Sequence, residues 1–317
     1  MNIRSLKIGT RGSDLALAQA HFVQNRLKGE NEIHIIQTSG DRFQNQPLNS
    51  QSEIGLFTKE IEQELLRGDI DLAVHSLKDL PNQLTPGLTL GAILSREEVS
   101  DLLLVQPAAY DCEQSTLPLK HGASVGASSL RRQALLSHLR PDLKLVSIRG
   151  NVPTRVRKAR NSECDAVILA RAGLIRLKLN VSPLLAFDLN PKRFVPAPGQ
   201  AAIAIEIRES DRDAKDRVAT LDHTHTRACV EVERILLRTF GGGCHAPFGA
   251  YAEDVAGMAR VFVAAPVSDG THQTRCFEAN DLNQVRSDAE AWISSGRIAD
   301  PVKENAQWLW KPARPWY

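Results

Sequence analysis

Short apolar runs alternate with amphipathic stretches through the first hundred residues, and the change of period marks strands and helices. One helical stretch follows Ser13 or Asp14, either of which can cap a helix. A second carries apolar residues four apart and reaches Gly68, a residue suited to ending a helix. The predicted strands are residues 6–10, 33–38 and 70–74. Strands separated by helices predict parallel pairing and an α/β domain.

The pattern restarts after Pro107 and predicts a second α/β region of similar build. It contains a helix from about residue 130, and the further elements are strand 143–148, helix 152–160 and strand 166–170. A Pro-rich stretch at 194–199 is interpreted as a crossover, and it leads into an apolar strand at 201–207.

The last part of the chain begins near residue 220 with a long helix at 228–239, and strand-like residues follow at 259–264. The final residues, 308–317, are rich in Trp and Pro and show no clear period. They are therefore expected to pack on the surface or to remain loose.

The charge of the chain is unevenly distributed. The net charge is +2 over 317 residues, yet the segment 126–176 holds eleven basic residues against three acidic ones. A solvated basic face is the plain interpretation of any one of these arginines. A nucleic-acid site is less favoured because aromatic residues are not interleaved with the basic ones. The arginines near strand-to-helix junctions favour a cleft for a small molecule that carries several carboxylates or phosphates.

Two further residues are candidates for chemistry. Cys244 closes a run of three glycines and precedes Pro247, which exposes one thiol in a turn. Asp79 follows the strand that ends at Val74 and is a candidate acid or charge stabiliser. The alternatives are a Gly-rich turn with a small buried Cys and a turn Asp before Pro81. The nearby His75 is more typical of a packed histidine than of a metal ligand, and no metal site is predicted.

The cellular setting is predicted from what the composition excludes. The five cysteines are scattered without a C-x-x-C pair, which favours a reduced, cytoplasmic protein. The first residues lack the apolar region of a secretory signal, and no apolar run reaches the length that crosses a bilayer. Neither a membrane nor a nucleic acid is therefore expected as a partner.

Nine strings, taken together, resemble the porphobilinogen deaminase (hydroxymethylbilane synthase) family and occur in the family's order. They are IGTRGSDLALAQA, TSGD, GLFTKE, DLAVHSLKDLP, VGASSLRRQ, IRGNVPTR, DAVILARAGLIRL, PAPGQAAIAIE and GGGCHAPFGAYA. They run from Ile8 to Ala252, and the segment after about residue 253 carries little of the signal.

The resemblance implies an α/β fold of three domains. The first two resemble the lobes of a type II periplasmic binding protein, and the third is a small α/β domain that carries the cysteine. The expected boundaries are residues 1–98 with 199–218, residues 99–198, and residues 219–317.

The resemblance also implies a reaction, in which four porphobilinogen molecules are joined head to tail with loss of ammonia to give linear hydroxymethylbilane. The growing chain is expected on a dipyrromethane cofactor, itself made from substrate and held by a thioether to Cys244. Each porphobilinogen carries an acetate and a propionate, so an Arg-rich cleft suits the growing polyanion. Loss of ammonia leaves an electron-poor azafulvene, and a carboxylate near the pyrrole nitrogens stabilises that cation.

The family's site residues are carried over position by position. By resemblance Asp79 is catalytic. The residues expected to hold the cofactor, besides Cys244, are Ser76, Lys78, Ser129, Arg131 and Arg132. The residues expected to hold incoming substrate are Arg11, Ser13, Arg149, Arg155 and Arg176.

The chain departs from the family pattern at a few positions. Ser50 and Ile54 stand where the family usually has lysines, in a segment expected to cover the cleft. Ala127 stands at a usual Thr, and the usual Asp-Pro-Arg-Asp of the first crossover is Glu98-Val99-Ser100-Asp101. These changes bear on substrate binding more than on the type of reaction.

Two other functions remain as alternatives: a non-catalytic, two-lobed anion-binding protein and an inactive paralogue with a structural role. A pure binder needs neither Asp79 nor Cys244, which favours the enzyme. The expected partners are porphobilinogen and the polypyrrole intermediates, with a possible hand-over of product to uroporphyrinogen-III synthase. The family precedent suggests a monomer.

Overall fold

The computed structural model describes residues 4–39, 58–243, 246–266, 271–295 and 309–315. Its α-helices are α1 Asp14–Gln24, α2 Lys59–Arg67, α3 Leu130–Leu139, α4 Val152–Arg160, α5 Arg171–Leu177, α6 Arg212–Ala219, α7 Thr224–Thr239 and α8 Leu282–Ser295. Short 3₁₀ turns occupy Leu77–Asp79 and Pro107–Ala109.

The strands are short except for the three that lie between residues 249 and 279. The first ten are β1 Leu6–Arg11, β2 Asn31–Ile36, β3 Leu72–Ser76, β4 Leu88–Ile93, β5 Asp101–Val105, β6 Ser124–Gly126, β7 Lys144–Val146, β8 Ala166–Ala170, β9 Leu185–Leu189 and β10 Ile203–Arg208. The last four are β11 Gly249–Val255, β12 Met258–Pro266, β13 His272–Ala279 and β14 Trp310–Pro312.

The chain divides into two compact units, and the first comprises Met1–Glu97 and Gly199–Arg227. Its five-stranded sheet has the order β2-β1-β3-β10-β4. β1 is parallel to both β2 and β3, whereas β10 is antiparallel to β3 and β4. The buried side chains of β1, β3 and β10 pack with α1 and α6 in one apolar cluster. The carboxyl ends of β1 and β3 therefore emerge at the same edge of this sheet.

The second unit comprises Glu98–Pro198 and Ala228–Tyr317. Its six-stranded sheet has the order β14-β9-β5-β8-β6-β7. β6 is parallel to β7 and β8, and β5 is antiparallel to β8 and β9. A separate antiparallel sheet, β11-β12-β13, packs against α7 and α8. Phe262 and Ala264 of β12 share a buried cluster with residues of the larger sheet, so residues 98–198 and 228–317 have a common core.

Many local elements agree with the sequence pattern. Helix α4 and strand β8 occupy the predicted residues. Ser13 caps α1 by accepting from the Ala16 amide, and Gly68 ends α2 with a left-handed φ of 82°. Helix α7 begins four residues before the predicted start at 228.

The expectation of parallel pairing was wrong in part. Parallel pairing holds for β1 to β3 and for β6 to β8, but β5, β9 and β10 run antiparallel to their neighbours. β10 enters the first unit only after the chain has left it at Glu97 and returned at Gly199, and the alternation of strands and helices does not mark the direction of such a strand. Of the two alternatives for the C-terminal tail, the residues described at 309–315 show packing, because β14 pairs with β9 and Leu309 is buried.

Candidate functional site

A pocket in the first unit collects the predicted residues from two strand ends. Arg11 ends β1 and Ser76 ends β3, and the parallel pairing of these strands brings both ends to one edge. Arg11, Ser13, Ser76 and Asp79 line the same pocket, with His75 beside them. Asp79 is exposed at the end of the 3₁₀ turn that follows β3. The pocket thus combines a carboxylate with hydroxyl and guanidinium donors.

Gln19 of α1 holds the Ser76 hydroxyl in place. The Gln19 amide nitrogen donates to Ser76 Oγ at 2.9 Å. The Ser76 hydroxyl can in turn donate to Gln19 Oε1, which lies 3.2 Å away. Gln19 is only 2% exposed and also lines the pocket. The side chain of Ser76 therefore has a fixed direction before any ligand arrives.

Lys78 is anchored by the segment that re-enters the first unit. Its Nζ donates to Gln200 Oε1 at 3.3 Å, and Gln200 is fully buried. Arg96 Nε donates to the Gln200 carbonyl at 2.8 Å. The ammonium of Lys78, which is half-buried, is held close to the turn that carries Asp79.

A buried pair of ionisable groups lies in the strands that carry the pocket. His75 Nε2 and Glu206 Oε2 are 3.4 Å apart, and the two side chains are 4% and 0% exposed. Neither the nitrogen nor the two Glu206 oxygens has a hydrogen-bond partner within the part of the chain that the structure describes. His75 is thus a packed residue, as its sequence context indicates, with a carboxylate as its neighbour.

In the second unit, Arg131 and Arg132 share one carboxylate. Ser129 is the N-cap residue of α3, and the two arginines occupy the first turn of that helix. Arg131 donates to Asp101 Oδ2 at 2.8 Å, and Arg132 donates to Asp101 Oδ1 at 2.7 Å. Both guanidinium groups are buried, whereas the sequence indicated residues that line an open cleft.

The buried triad of Asp101, Arg131 and Arg132 keeps a net positive charge. Burial alone raises the pKa of Asp101, but the adjacent charges of Arg131 and Arg132 outweigh it and hold that pKa far below its usual range. The Nε atoms of both arginines are buried and have no hydrogen-bond partner among the described residues. Two guanidiniums share one carboxylate, and their Nε–H groups remain without an acceptor among the described residues. The triad is therefore suited to binding an anionic group.

The three other predicted arginines of the second unit lie just before α4, within α4 and in the last turn of α5. Asn151 caps α4 through a bond from the Thr154 amide, and Arg155 Nε donates to the Gly150 carbonyl at 2.8 Å. Arg149 directly precedes this turn, and Arg176 lies in the last turn of α5. Arg149, Arg155 and Arg176 are all half-buried, so part of each side chain faces solvent.

The cysteine itself, and the changed positions of the cover segment, lie outside the described residues: Cys244, Ser50 and Ile54. The segment that follows the cysteine is described, and it is held at two points. His272 Nε2 lies 3.0 Å from the Pro247 carbonyl, which fixes that nitrogen as the donor. The Ala250 amide donates to the Pro196 carbonyl at 3.1 Å.

The described residues contain neither a cluster suited to a metal ion nor a helix suited to a membrane. Within residues 4–39, 58–243, 246–266, 271–295 and 309–315, no group of three His, Cys, Asp or Glu side chains is arranged to hold a metal ion. None of the helices in those ranges is long and apolar enough to cross a bilayer.

Three residues of the site were missed by the sequence reasoning: Gln19, Asp101 and Gln200. Gln19 and Gln200 lie inside strings that carry the family resemblance, and their position there was the available signal. Asp101 begins β5, where a single Asp is more typical of a turn. The available signals were the excess of arginine over acidic residues and the position of Asp101 at the last Asp of the family's Asp-Pro-Arg-Asp.

Two family models cover most of the chain. The model described as "Porphobilinogen deaminase, dipyromethane cofactor binding domain" matches residues 6–216. The model described as "Porphobilinogen deaminase, C-terminal domain" matches residues 227–280.

Curated relatives agree with these matches. The porphobilinogen deaminase of Nitratidesulfovibrio vulgaris strain DP4 is 48% identical over 79% of this chain and 79% of its own length. The porphobilinogen deaminase of Pelobacter propionicus is 44% identical over 86% and 87%. Among solved structures, an ancestral cationic amino acid solute binding protein is 15% identical over 68% of this chain and 87% of its own, with a TM-score of 0.36, a similarity too weak to argue from.

The family models span residues 6–280 almost without a break, and relatives above 40% identity share most of their length with this chain. The chain belongs to the porphobilinogen deaminase family.

Proposed function

We propose that the chain joins four porphobilinogen molecules head to tail, releasing one ammonia at each joining, and gives linear hydroxymethylbilane. In each joining the bond from the aminomethyl carbon to nitrogen breaks, and a bond from that carbon to the free α-carbon of a pyrrole forms. The proton of that α-carbon leaves, and the amine leaves as ammonia. Release of the finished tetrapyrrole consumes one water.

Family membership supports the coarser statements directly. The chain has porphobilinogen deaminase function, is a transferase of tetrapyrrole biosynthesis, and uses a dipyrromethane cofactor. When bound, the dipyrromethane supplies the pyrrole carbon to which the first porphobilinogen is joined. A non-catalytic anion-binding role is not favoured by the relatives.

The observation that carries the assignment of residues is the pocket that Asp79 shares with Arg11, Ser13 and Ser76. A carboxylate in this position can stabilise positive charge that develops on a pyrrole when ammonia leaves. It can also accept the proton that the pyrrole α-carbon loses. Asp79 is therefore proposed as the catalytic residue.

Five polar residues are proposed to hold the carboxylates of the cofactor: Ser76, Lys78, Ser129, Arg131 and Arg132. The unpartnered Nε atoms of the two arginines support their part, because a buried N–H without an acceptor is costly and a carboxylate removes that cost. Cys244 is proposed to hold the cofactor through a thioether.

The carboxylates of incoming porphobilinogen are proposed to bind Arg11, Ser13, Arg149, Arg155 and Arg176. Arg11 and Ser13 lie beside Asp79 in the pocket, and the other three keep part of their surface exposed. This division between cofactor and substrate residues follows the family pattern.

The proposal extends to the organisation of the protein. Three functional domains are proposed, residues 1–98 with 199–218, residues 99–198, and residues 219–317. The protein is proposed to act as a cytoplasmic monomer that hands its product to uroporphyrinogen-III synthase.

The first test is the intact mass of the purified protein beside a Cys244→Ser variant. An excess mass equal to a dipyrromethane is expected in the parent and absent in the variant. A parent at its sequence mass is then incubated with porphobilinogen or preformed hydroxymethylbilane, and uptake of the mass identifies it as the apo form. A parent that stays bare after both treatments contradicts the proposed function.

The second test separates catalysis from cofactor attachment. Asp79→Asn is expected to lose nearly all turnover while it keeps the covalent mass, since the amide can neither carry the negative charge nor accept a proton. Asp69→Asn is the matched control, because Asp69 is an exposed carboxylate of the same unit paired with Arg67. Full turnover of Asp79→Asn would remove Asp79 from the mechanism.

A further inference from the structure

Asp101 is the meeting point of three separate segments of the second unit. One carboxylate oxygen accepts from Arg131 and the other from Arg132. Arg132 also donates to the Ile168 carbonyl of β8 at 3.0 Å, and Arg131 donates to the Val195 carbonyl at 2.7 Å. A single side chain thus sets the distance between the two guanidiniums and their orientation on the sheet.

The arginines need this carboxylate for electrostatic reasons. Both lie in the first turn of α3, where the helix dipole disfavours positive charge. They are 2% and 6% exposed, so water screens them little. With Asp101 at hydrogen-bond distance from both, two of the three charges cancel and one positive charge remains for a ligand.

The Val195 contact extends the arrangement toward the cysteine. Strand β11 begins at Gly249, five residues after Cys244. A Cβ atom at Gly249 would lie 2.7 Å from the Val195 carbonyl oxygen, so only glycine permits this close approach. The Ala250 amide donates to the carbonyl of Pro196, the next residue. The carbonyl that Arg131 holds is therefore packed against the exit of the cysteine loop.

We propose that Asp101 is a positioning residue with two tasks: it aims the Arg131 and Arg132 guanidiniums at the cofactor carboxylates, and through Arg131 and Val195 it fixes the exit of the loop that carries Cys244. The first task rests on the proposed function. The second depends only on contacts inside the second unit. Asp101 itself needs no contact with the cofactor.

Asp188 provides a matched control in the same sheet. It lies in β9, directly opposite Leu102 of β5, is 3% exposed, and accepts from Arg171 at 2.6 Å. Arg171 is not among the proposed anion binders. Burial raises the pKa of Asp188, with only partial opposition from Arg171, whereas the pKa of Asp101 is lowered. Loss of either carboxylate removes the buried partner of an arginine. Only the loss of Asp101 affects arginines that are proposed to hold the cofactor.

The structural arm of the test is amide hydrogen exchange of Asp101→Asn and Asp188→Asn in the absence of added ligand. In Asp101→Asn, the peptide that contains Ala250 is expected to exchange about tenfold faster than in the parent, because the Arg131 anchor is weakened. In Asp188→Asn, faster exchange is expected in β9 and β14 instead. The same exchange at Ala250 in both variants would overturn the loop-fixing task.

The functional arm measures attachment rather than turnover. Apo protein is incubated with preformed hydroxymethylbilane, and the gain of dipyrromethane mass is followed over time. Asp101→Asn is expected to load about ten- to a hundredfold more slowly than Asp188→Asn, by analogy with the loss seen when outer-shell partners of metal ligands are removed. Equal loading of the two variants would overturn the aiming task.

Asp101→Glu serves if the amide variant does not fold. It retains the negative charge, so the arginines stay paired, but its longer side chain displaces both guanidiniums. Slow loading supports the aiming task, and parent-like loading contradicts it. A parent that never loads overturns the proposed function instead, and exchange at Ala250 then still decides the loop-fixing task.

Discussion

Each of the two units buries a carboxylate in an interior strand of a sheet, but the partners of the two carboxylates differ. Asp101 in β5 is 0% exposed and has a guanidinium hydrogen bond on each oxygen. Glu206 in β10 is also 0% exposed, but its oxygens lack hydrogen-bond partners in the described structure and its paired group is His75 at 3.4 Å.

Burial by itself does not determine what such a group contributes. The cost of removing a charge from water is similar for the two carboxylates, and it is offset only where hydrogen-bond donors replace the water. Asp101 has fixed donors that cannot lose their charge at ordinary pH, since arginine stays protonated. Glu206 faces the His75 ring, and neither of its oxygens has a hydrogen-bond donor among the described residues. The second unit therefore holds a permanent ionic centre, whereas the first buries a carboxylate without fixed donors.

The largest expected effect comes from removing the permanent centre. Asp101→Leu leaves two buried guanidiniums without their carboxylate, and the free energy of unfolding is expected to fall by about 3–5 kcal/mol. Urea unfolding gives the size of the loss, and hydrogen exchange in α3 and β5 locates it in the second unit. A loss below about 1 kcal/mol would show that the arginines do not depend on Asp101.

An intermediate effect on stability is expected at His272, because only one of its two ring nitrogens has a hydrogen-bond partner among the described residues. Nε2 donates to Pro247, while Nδ1 is buried without a partner in the described ranges. Burial lowers the pKa of His272, and His138 and Arg131 lower it further. The unfolded chain therefore takes up the proton first as pH falls below about 6.5. Stability from the neutral ring is present above that pH and is lost as pH falls toward the folded-state pKa.

The measurement for His272 is the urea midpoint between pH 7.5 and 5 for the parent and His272→Gln. The Gln amide can still donate to Pro247 but does not titrate, so the variant should lose less stability on acidification. His121→Asn, a change at an exposed histidine of the same unit, should follow the parent curve. Identical curves for parent and His272→Gln would contradict the assignment.

The smallest effect on stability is expected at Glu206, the buried carboxylate of the first unit. Glu206→Gln keeps the shape of the side chain and replaces a carboxylate that has no hydrogen-bond partner among the described residues, so the expected cost is below about 1 kcal/mol. The measurement is again urea unfolding, with hydrogen exchange in β3 and β10. A cost comparable to that of Asp101→Leu would mean that the His75–Glu206 pair is a permanent ionic centre as well.

Local elements were predictable where the sequence carries its own signals. Asn151 before α4 and the apolar run of β8 defined those elements at the residue level. Strand β3 was placed two residues early, since the apolar run starts at Ile70 while the ladder runs from Leu72 to Ser76. The antiparallel direction of β10 depends on chain reversal over more than a hundred residues, which no local pattern encodes.

The sequence predicted the residues that line the pocket, but it did not predict the buried residue that holds Arg131 and Arg132 in position. Family strings pointed to Asp79, Ser76 and Arg11, and the structure brings these three into one pocket. Asp101 supports Arg131 and Arg132 across some thirty positions of sequence, and a buried Asp has no periodic signature. Burial of the two arginines was likewise invisible, because charged residues are usually exposed.

The C-terminal strand gives the protein a particular order of assembly during synthesis. β14 pairs with β9, and Trp310 lies opposite Leu189, so the partner strand emerges from the ribosome 121 residues earlier. At typical elongation rates that interval is roughly 6–24 s. Throughout it the outer edge of β9 lacks the strand that covers it in the finished protein, and such edges invite pairing with other chains. Chaperone contacts with the nascent protein are therefore expected to concentrate on β9, and truncation before residue 309 makes that exposure permanent.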